Sequence, residues 1–113
     1  NVAYGAFALR ENTTGTLNTA IGYASLDDNT TGSCNTAAGF GSMRCNTTAG
    51  GNVAYGACSL YANTSGGGNA AVGSCSLKAN TTGSYNSSLG FEALRSNTTA
   101  CYNVAVGSYS LYV

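Results

Sequence analysis

Few side chains in this 113-residue sequence can do chemistry, and histidine, tryptophan and proline are absent. The candidates are five cysteines and seven asparagines that each begin an Asn-x-Ser/Thr sequence. Thiols can pair as disulfides, and such asparagines can accept an N-linked glycan. Histidine is a common zinc ligand and general base, and its absence removes both roles. We therefore expect no catalytic residue, no cofactor and no metal site.

The glycan acceptors follow a fixed pattern. An Asn-Thr-Thr or Asn-Thr-Ser run begins at Asn12, Asn29, Asn46, Asn63, Asn80 and Asn97, and Asn86-Ser87-Ser88 adds a seventh acceptor. Two interpretations stay open: the six asparagines carry sugar, or they form an internal ladder beside a turn. A glycan is wider than about 4.8 Å, the spacing of stacked strands, so a fully glycosylated row needs a longer rise per repeat.

The cysteines do not have the Cys-x-x-Cys spacing of a metal site. Cys58 and Cys75 are 17 residues apart, the length of the repeat described below. Stacked repeats would bring their Cα atoms to about 4.8 Å, within the range of a disulfide. Cys34 and Cys45 flank successive turns and form a second candidate pair, which leaves Cys101 for a link to another chain. The alternative is that cysteine is a small apolar filler.

Charged residues are few and balanced, four basic and four acidic. Without a basic excess, the chain has no electrostatic footprint for nucleic acid. Seven of the eight charges lie at two neighbouring positions of the repeat, and Glu92 is the exception. This clustering predicts one solvated corner. Asp27 and Asp28 are adjacent, so on an extended chain their side chains diverge and cannot flank one substrate bond.

A 17-residue repeat organises the whole chain into what we expect to be a single array. Its copies are residues 1–17, 18–34, 35–51, 52–68, 69–85 and 86–102, with a partial copy at 103–113. Position 5 is always Gly, position 3 is Ala except Ser88, and position 9 is Leu except Met43. All thirteen asparagines lie at position 12 or at position 1, where they are Asn1, Asn18, Asn35, Asn52, Asn69, Asn86 and Asn103.

The repeat predicts an all-β fold. Positions 2–4 suit a short strand, and the glycine after them suits a bend or a close backbone approach. Positions 6–9 suit a second extended piece, and Asn-Thr-Thr-Gly at 12–15 is typical of a turn. No helical apolar stripe survives the invariant glycine. We predict a parallel β-solenoid with one coil per repeat and a rise of about 4.8 Å.

The interior of that solenoid should hold the rows at positions 4 and 9. The alanine row at position 3 should be either interior or a flat seam against another chain. Asparagines at positions 1 and 12 should form ladders along the axis, because an amide can donate to one neighbour and accept from the other. The alternative fold is a trimeric β-fibre in which the rise per repeat is two to three times larger.

The runs NTAIG, NTAAG and NVAVG resemble the head repeats of YadA-type trimeric autotransporter adhesins. The longer pattern N-x-A-x-G-x-x-x-L-x-x-N-T-T-G is similar to repeats of phage and algal-virus fibre proteins and of large bacterial surface proteins. The adhesin resemblance implies a left-handed, trimeric, extracellular β-roll. The repeat of this chain is longer, 17 residues, whereas the adhesin head repeat is near fourteen.

The expected function is a structural repeat segment of an extracellular fibre, filament or adhesin. It would act as a stiff rod and assembly unit, with copies of itself as partners, end to end or as a trimer. We expect further repeats on both sides or end-to-end packing. We expect neither nucleic-acid binding nor membrane insertion in this segment. The alternative is a binding module: scattered aromatic rings could bind a surface glycan or receptor, and the paired threonines could bind ice.

Overall fold

Each repeat forms one coil of a parallel β-solenoid in the computed structural model, which describes residues 1–112. Each coil contributes one three-residue strand to a single seven-stranded sheet in which neighbours along the chain pair in parallel. The strands are β1 (Val2–Tyr4), β2 (Thr19–Ile21), β3 (Thr36–Ala38), β4 (Val53–Tyr55), β5 (Ala70–Val72), β6 (Ser87–Leu89) and β7 (Val104–Val106). Paired residues are one repeat apart, as in Ala20 opposite Ala37. The predicted fold class is confirmed.

The length of the molecule fixes the rise per repeat. The principal extents are 34 × 21 × 16 Å. Seven coils stacked at the strand spacing span roughly 30 Å, which agrees with the longest extent. A rise two or three times larger would need a much longer molecule, so the alternative of a wrapped fibre is wrong for this chain.

From β2 onward the strands bury position 3, while positions 2 and 4 are exposed or half-exposed. Ala20, Ala37, Ala54 and Ala71 are fully buried, whereas Tyr4, at position 4, is 77% exposed. Successive side chains of a strand point to opposite faces, so an inward position 3 forces both neighbours outward. The prediction that position 4 lies in the interior is therefore wrong, and the alanine row is interior. Only a small side chain, alanine or serine, fits there because the opposite side of the coil already fills the space with leucine.

The core is thin and half polar. Its apolar part consists of the position-3 alanines and the position-9 row, in which Leu26, Met43, Leu60 and Leu77 are fully buried. Four serines at position 8 are also buried, and three of them donate to strand carbonyls, as Ser42 Oγ does to Ala54 O at 3.2 Å. Position 9 is interior as predicted.

Positions 6–9 are a left-handed turn rather than the second extended piece that the pattern predicted. Positions 7 and 9 have φ between 48° and 62° in every coil, with residues as different as Cys, Glu and Leu. Their N–H groups bond to opposite neighbours: Ala24 N donates back to Ala6 O at 2.9 Å and Leu26 N donates forward to Ser42 O at 3.0 Å. A left-handed L-residue costs roughly 1–2 kcal/mol, so these bonds between coils must offset the strain.

Glycine at position 5 has the two roles that the sequence indicated. Its φ lies between 114° and 140°, and a Cβ built on Gly22 would lie 2.7 Å from the carbonyl oxygen of Gly39. The turn glycine at position 15 differs, because it is not in the left-handed region and alanine replaces it at Ala49. It is small because the next coil and the Asn12-type side chain press against it.

Candidate functional site

The asparagines at position 12 form an amide ladder inside the coil. Asn46 Nδ2 donates to Asn29 Oδ1 of the preceding coil at 2.8 Å and to the carbonyl of Ala49 at 3.1 Å. Its own Oδ1 accepts from Asn63 Nδ2 at 3.0 Å. The same pattern links Asn12 to Asn29 and Asn80 to Asn97. Each buried amide therefore uses both hydrogens and its oxygen.

The asparagines at position 1 form a second ladder of a different kind. Asn35 Oδ1 accepts from the backbone N–H of Asn52 at 3.0 Å, one coil further on. Asn35 Nδ2 donates to the Ala49 carbonyl at 2.8 Å. The position-15 carbonyl thus accepts from both asparagines of its coil, which joins the two ladders into one buried network.

This network decides where a glycan could be attached. Asn29, Asn46, Asn63 and Asn80 are 0% exposed, and a glycan would be joined to the same Nδ2 that donates twice. Asn86 is equally buried. Glycosylation at these five positions is incompatible with the fold. Asn12 and Asn97 lie at the ends of the ladder and are only partly buried.

All five cysteines are free thiols, so neither predicted pair is formed in the structure. Cys58 and Cys75 do lie in adjacent coils, where Cys75 N donates to Ala57 O at 2.9 Å. Cys45 is half-buried, and burial raises the pKa of its thiol, with the Asp28 charge adding to the effect. Cys101 is exposed, and its sulfur accepts from Ser84 N at 3.2 Å, as Ser33 Oγ does from Thr16 N. The disulfides remain predictions.

The charged corner contains one buried carboxylate. Asp27 is 2% exposed and lies between Arg10 and Arg44 of the neighbouring coils. Arg10 Nε is 2.9 Å from Oδ1 and Arg10 Nη2 donates to Oδ2 at 3.2 Å. The Nε contact is ionic, because Oδ1 has no well-aligned hydrogen-bond donor. The prediction of a fully solvated corner is therefore wrong at Asp27.

The outward side chains at positions 2 and 4 of the seven strands make an uncharged apolar surface, here called the sheet face. Its exposed large apolar members are Val2, Tyr4, Ile21, Val53, Tyr55, Val72, Leu89, Val104 and Val106. The remaining members are Thr19, Thr36, Ala38, Ala70 and Ser87. The sequence held a signal for this face: position 3 keeps one small size, while positions 2 and 4 vary in size as residues outside a packed core can.

The sheet face has one hollow. Small side chains at Ala70 and Ser87 leave a depression of about 170 Å³, bordered by Val72, Leu89 and Val104. Large side chains project elsewhere, above all Tyr4, which is 77% exposed, and Tyr55, which is 48% exposed. The face therefore carries both protrusions and a cavity of side-chain size.

Another surface feature is an open cleft of about 360 Å³, here called the aromatic cleft. It is lined by Tyr23, Ala24, Phe40, Gly41, Arg44, Cys58, Tyr61 and Lys78. The rings of Tyr23 and Phe40 stack at 5.5 Å and 8°. Arg44 Nη1 donates to Tyr61 Oη at 3.1 Å, which raises the pKa of Arg44. Of the four Lys and Arg side chains, Lys78 alone makes no ion pair within residues 1–112.

The threonine rows are separated by the fold. Hydroxyls at position 13 donate to the backbone of the next coil, as Thr30 Oγ1 does to Thr47 O at 3.0 Å. The position-14 row is exposed, for example at Thr31 and Thr48. One exposed line of hydroxyls is narrower than the two-row array that the ice-binding interpretation needs.

Comparison with known proteins gave no match: no family model, no curated protein and no solved structure matches the chain. Within residues 1–112 no group of three or more Cys, Asp or Glu side chains is placed to hold a metal ion. The same residues include no helix long and apolar enough to cross a membrane.

Proposed function

We propose that the chain is a structural repeat segment of an extracellular fibre, filament or adhesin, in which it acts as a stiff rod and spacer. The observation that carries the proposal is the unbroken axial hydrogen bonding. Backbone bonds join each coil to the next at several points, and the buried asparagine network continues through the same coils. Bending the rod would stretch many of these bonds together.

The composition of the surface supports a mechanical role. Charged residues make up only 7% of the chain, so most of the surface is neutral. Interior positions repeat with almost no variation, while the surface positions differ from coil to coil. A rod needs a constant interior, and attachment or assembly can use a variable surface.

The proposal is tested by length. Residues 1–102 are joined in phase as two and as four blocks, and particles are measured by electron microscopy. Each block should add about 29 Å, six coils at the strand spacing, and the particles should stay straight. Blocks joined by a flexible Gly/Ser linker serve as the control and should give bent particles of scattered length. Equal scatter in both series would overturn the rod proposal.

A second candidate function is carbohydrate binding at the aromatic cleft. The supporting observation is the combination of the stacked Tyr23 and Phe40 rings with the unpaired ammonium of Lys78. Aromatic faces suit the apolar faces of sugar rings, and an ammonium suits a carboxylate. The ligand class would be an acidic pyranose.

Binding is measured by titrating glucuronate, with a neutral methyl glucoside as the comparison. Phe40→Ala should abolish binding of both sugars, and Lys78→Gln should weaken glucuronate alone by about tenfold. Phe91→Ala, which removes an exposed ring outside the cleft, is the control and should change nothing. Equal weak binding by all variants would exclude the cleft as the site.

A further inference from the structure

We infer that the sheet face is an interface with a second copy of this chain, packed face to face. The inference rests on the proposed structural function and names the surface through which such rods associate. The partner is a copy because the apolar area of the face matches what each half of a standard dimer buries, and because the face has no charge with which to select a charged partner.

The size of the face fits a dimer. Its nine large apolar side chains are 37% to 77% exposed. With ordinary side-chain areas they present on the order of 800 Å², the area that each partner of a standard interface buries. The largest apolar patch on a typical monomer is roughly 300–600 Å². An isolated rod would leave all of this surface in water.

The chemistry of the face favours a like partner. No member of the sheet face is charged, and the eight charged residues all lie outside the strands, at positions 7, 10 and 11 of the repeat. Two copies therefore meet without burying an unpaired charge. Backbone groups of the sheet are already bonded between coils, so only side chains need to fit. Packed sheets lie about 10 Å apart, a gap that side chains of this size fill.

A two-fold interface is self-complementary, so two fully overlapped copies place their middle coils against each other. Tyr55 lies in the middle coil and therefore at the centre of the interface.

The test uses the whole chain in a reducing buffer, so that exposed thiols such as Cys101 cannot link copies. Sedimentation equilibrium should give a reversible dimer of twice 11.3 kDa. Tyr55→Lys should weaken dimerisation at least a hundredfold, because two lysines would be buried without partners at the centre of the interface. Ser65→Lys, in the same coil but exposed away from the sheet face, is the matched control and should dimerise like the wild type. Circular dichroism confirms that each variant is folded.

A monomer at all concentrations, a trimer, or a dimer that survives Tyr55→Lys would overturn the interface. Straight particles of monomeric blocks in the length experiment would still support the rod, so the two proposals fail separately.

Discussion

At the scale of single residues, asparagine is selected because its amide both donates and accepts. In the position-12 row, Asn46 donates two hydrogen bonds and accepts one without contact with water. Aspartate has the same shape but cannot donate when ionised, and serine is too short to reach both partners. The sequence was sufficient to predict the ladder, because asparagine occurs only at positions 1 and 12 of the repeat. It left open whether the position-12 row faced inward, since a sequence that accepts a glycan can equally form a turn.

Asn46→Asp should remove both donated bonds and bury a charge, at a cost of about 3 kcal/mol or more in the free energy of unfolding at pH 7. Burial raises the pKa of such a carboxyl group above its value in the unfolded chain, so the loss should shrink as the pH falls from 7 towards about 4, where the acid is protonated in the folded state and regains one donor. Urea unfolding at pH 7 and pH 4 measures both effects.

Asn97→Asp is the control for that variant. It removes the two equivalent bonds that Asn97 Nδ2 donates, but this side chain lies at the partly exposed end of the row. Its loss at pH 7 should be less than half as large. Equal losses at both sites would contradict an internal ladder.

The cysteine thiols should differ in reactivity because they differ in burial. Since burial raises the pKa of Cys45, a smaller fraction is thiolate at pH 8 than for an unperturbed thiol. Iodoacetamide should therefore modify exposed Cys34 and Cys101 before Cys45, with the difference lost in denaturant. Mass spectrometry of peptides at timed intervals gives the order, and faster modification of Cys45 would contradict its placement.

At the scale of the coil, two predictions from the pattern were wrong for identifiable reasons. Larger apolar side chains at position 4 were expected inside, but a 17-residue coil this narrow has room only for the small side chains of position 3 opposite Leu26 and its equivalents. Positions 6–9 were expected to be extended, because leucine at positive φ is rare in isolation. Here the bonds that positions 7 and 9 make to both neighbouring coils hold them in that conformation. These hydrogen bonds form only when coils stack, so the sequence of a single repeat does not indicate them.

Two Gly→Ala variants separate close approach from backbone conformation. Gly41→Ala, at position 7, has space for its Cβ, whose nearest atom would be 3.5 Å away, and most coils carry a side chain there. It should cost only about 1 kcal/mol. Gly22→Ala would place its Cβ 2.7 Å from the carbonyl oxygen of Gly39 at a φ of 125°. It should cost more than about 3 kcal/mol, since backbone must move in two coils.

Urea unfolding of the two alanine variants measures this difference. Ala37→Gly provides a reference. It is an Ala/Gly change at a buried strand position whose backbone is not left-handed. Similar losses for Gly22→Ala and Gly41→Ala would show that close contact between coils is not what requires glycine at position 5.

At the scale of the whole molecule, the repeat makes every coil a template for the next. Contacts run only between neighbouring coils, so stability is roughly a sum of coil and interface terms. The sheet face belongs to this scale: it arises only when seven strands align their outward side chains, and no single repeat has enough apolar surface to be recognised as an interface. The sequence alone predicted the solenoid and the stacking of one coil per repeat. The apolar sheet face could be identified only once the position-3 alanines were known to point inward.

The axial rise per repeat tests the account most directly. Fibre diffraction from oriented, in-phase multiples of residues 1–102 reports the spacing along the axis. One coil per 17-residue repeat predicts a strong meridional reflection near 4.8 Å. A repeat spacing two to three times larger would contradict the stacked coils, the asparagine ladders between them and the sheet face together.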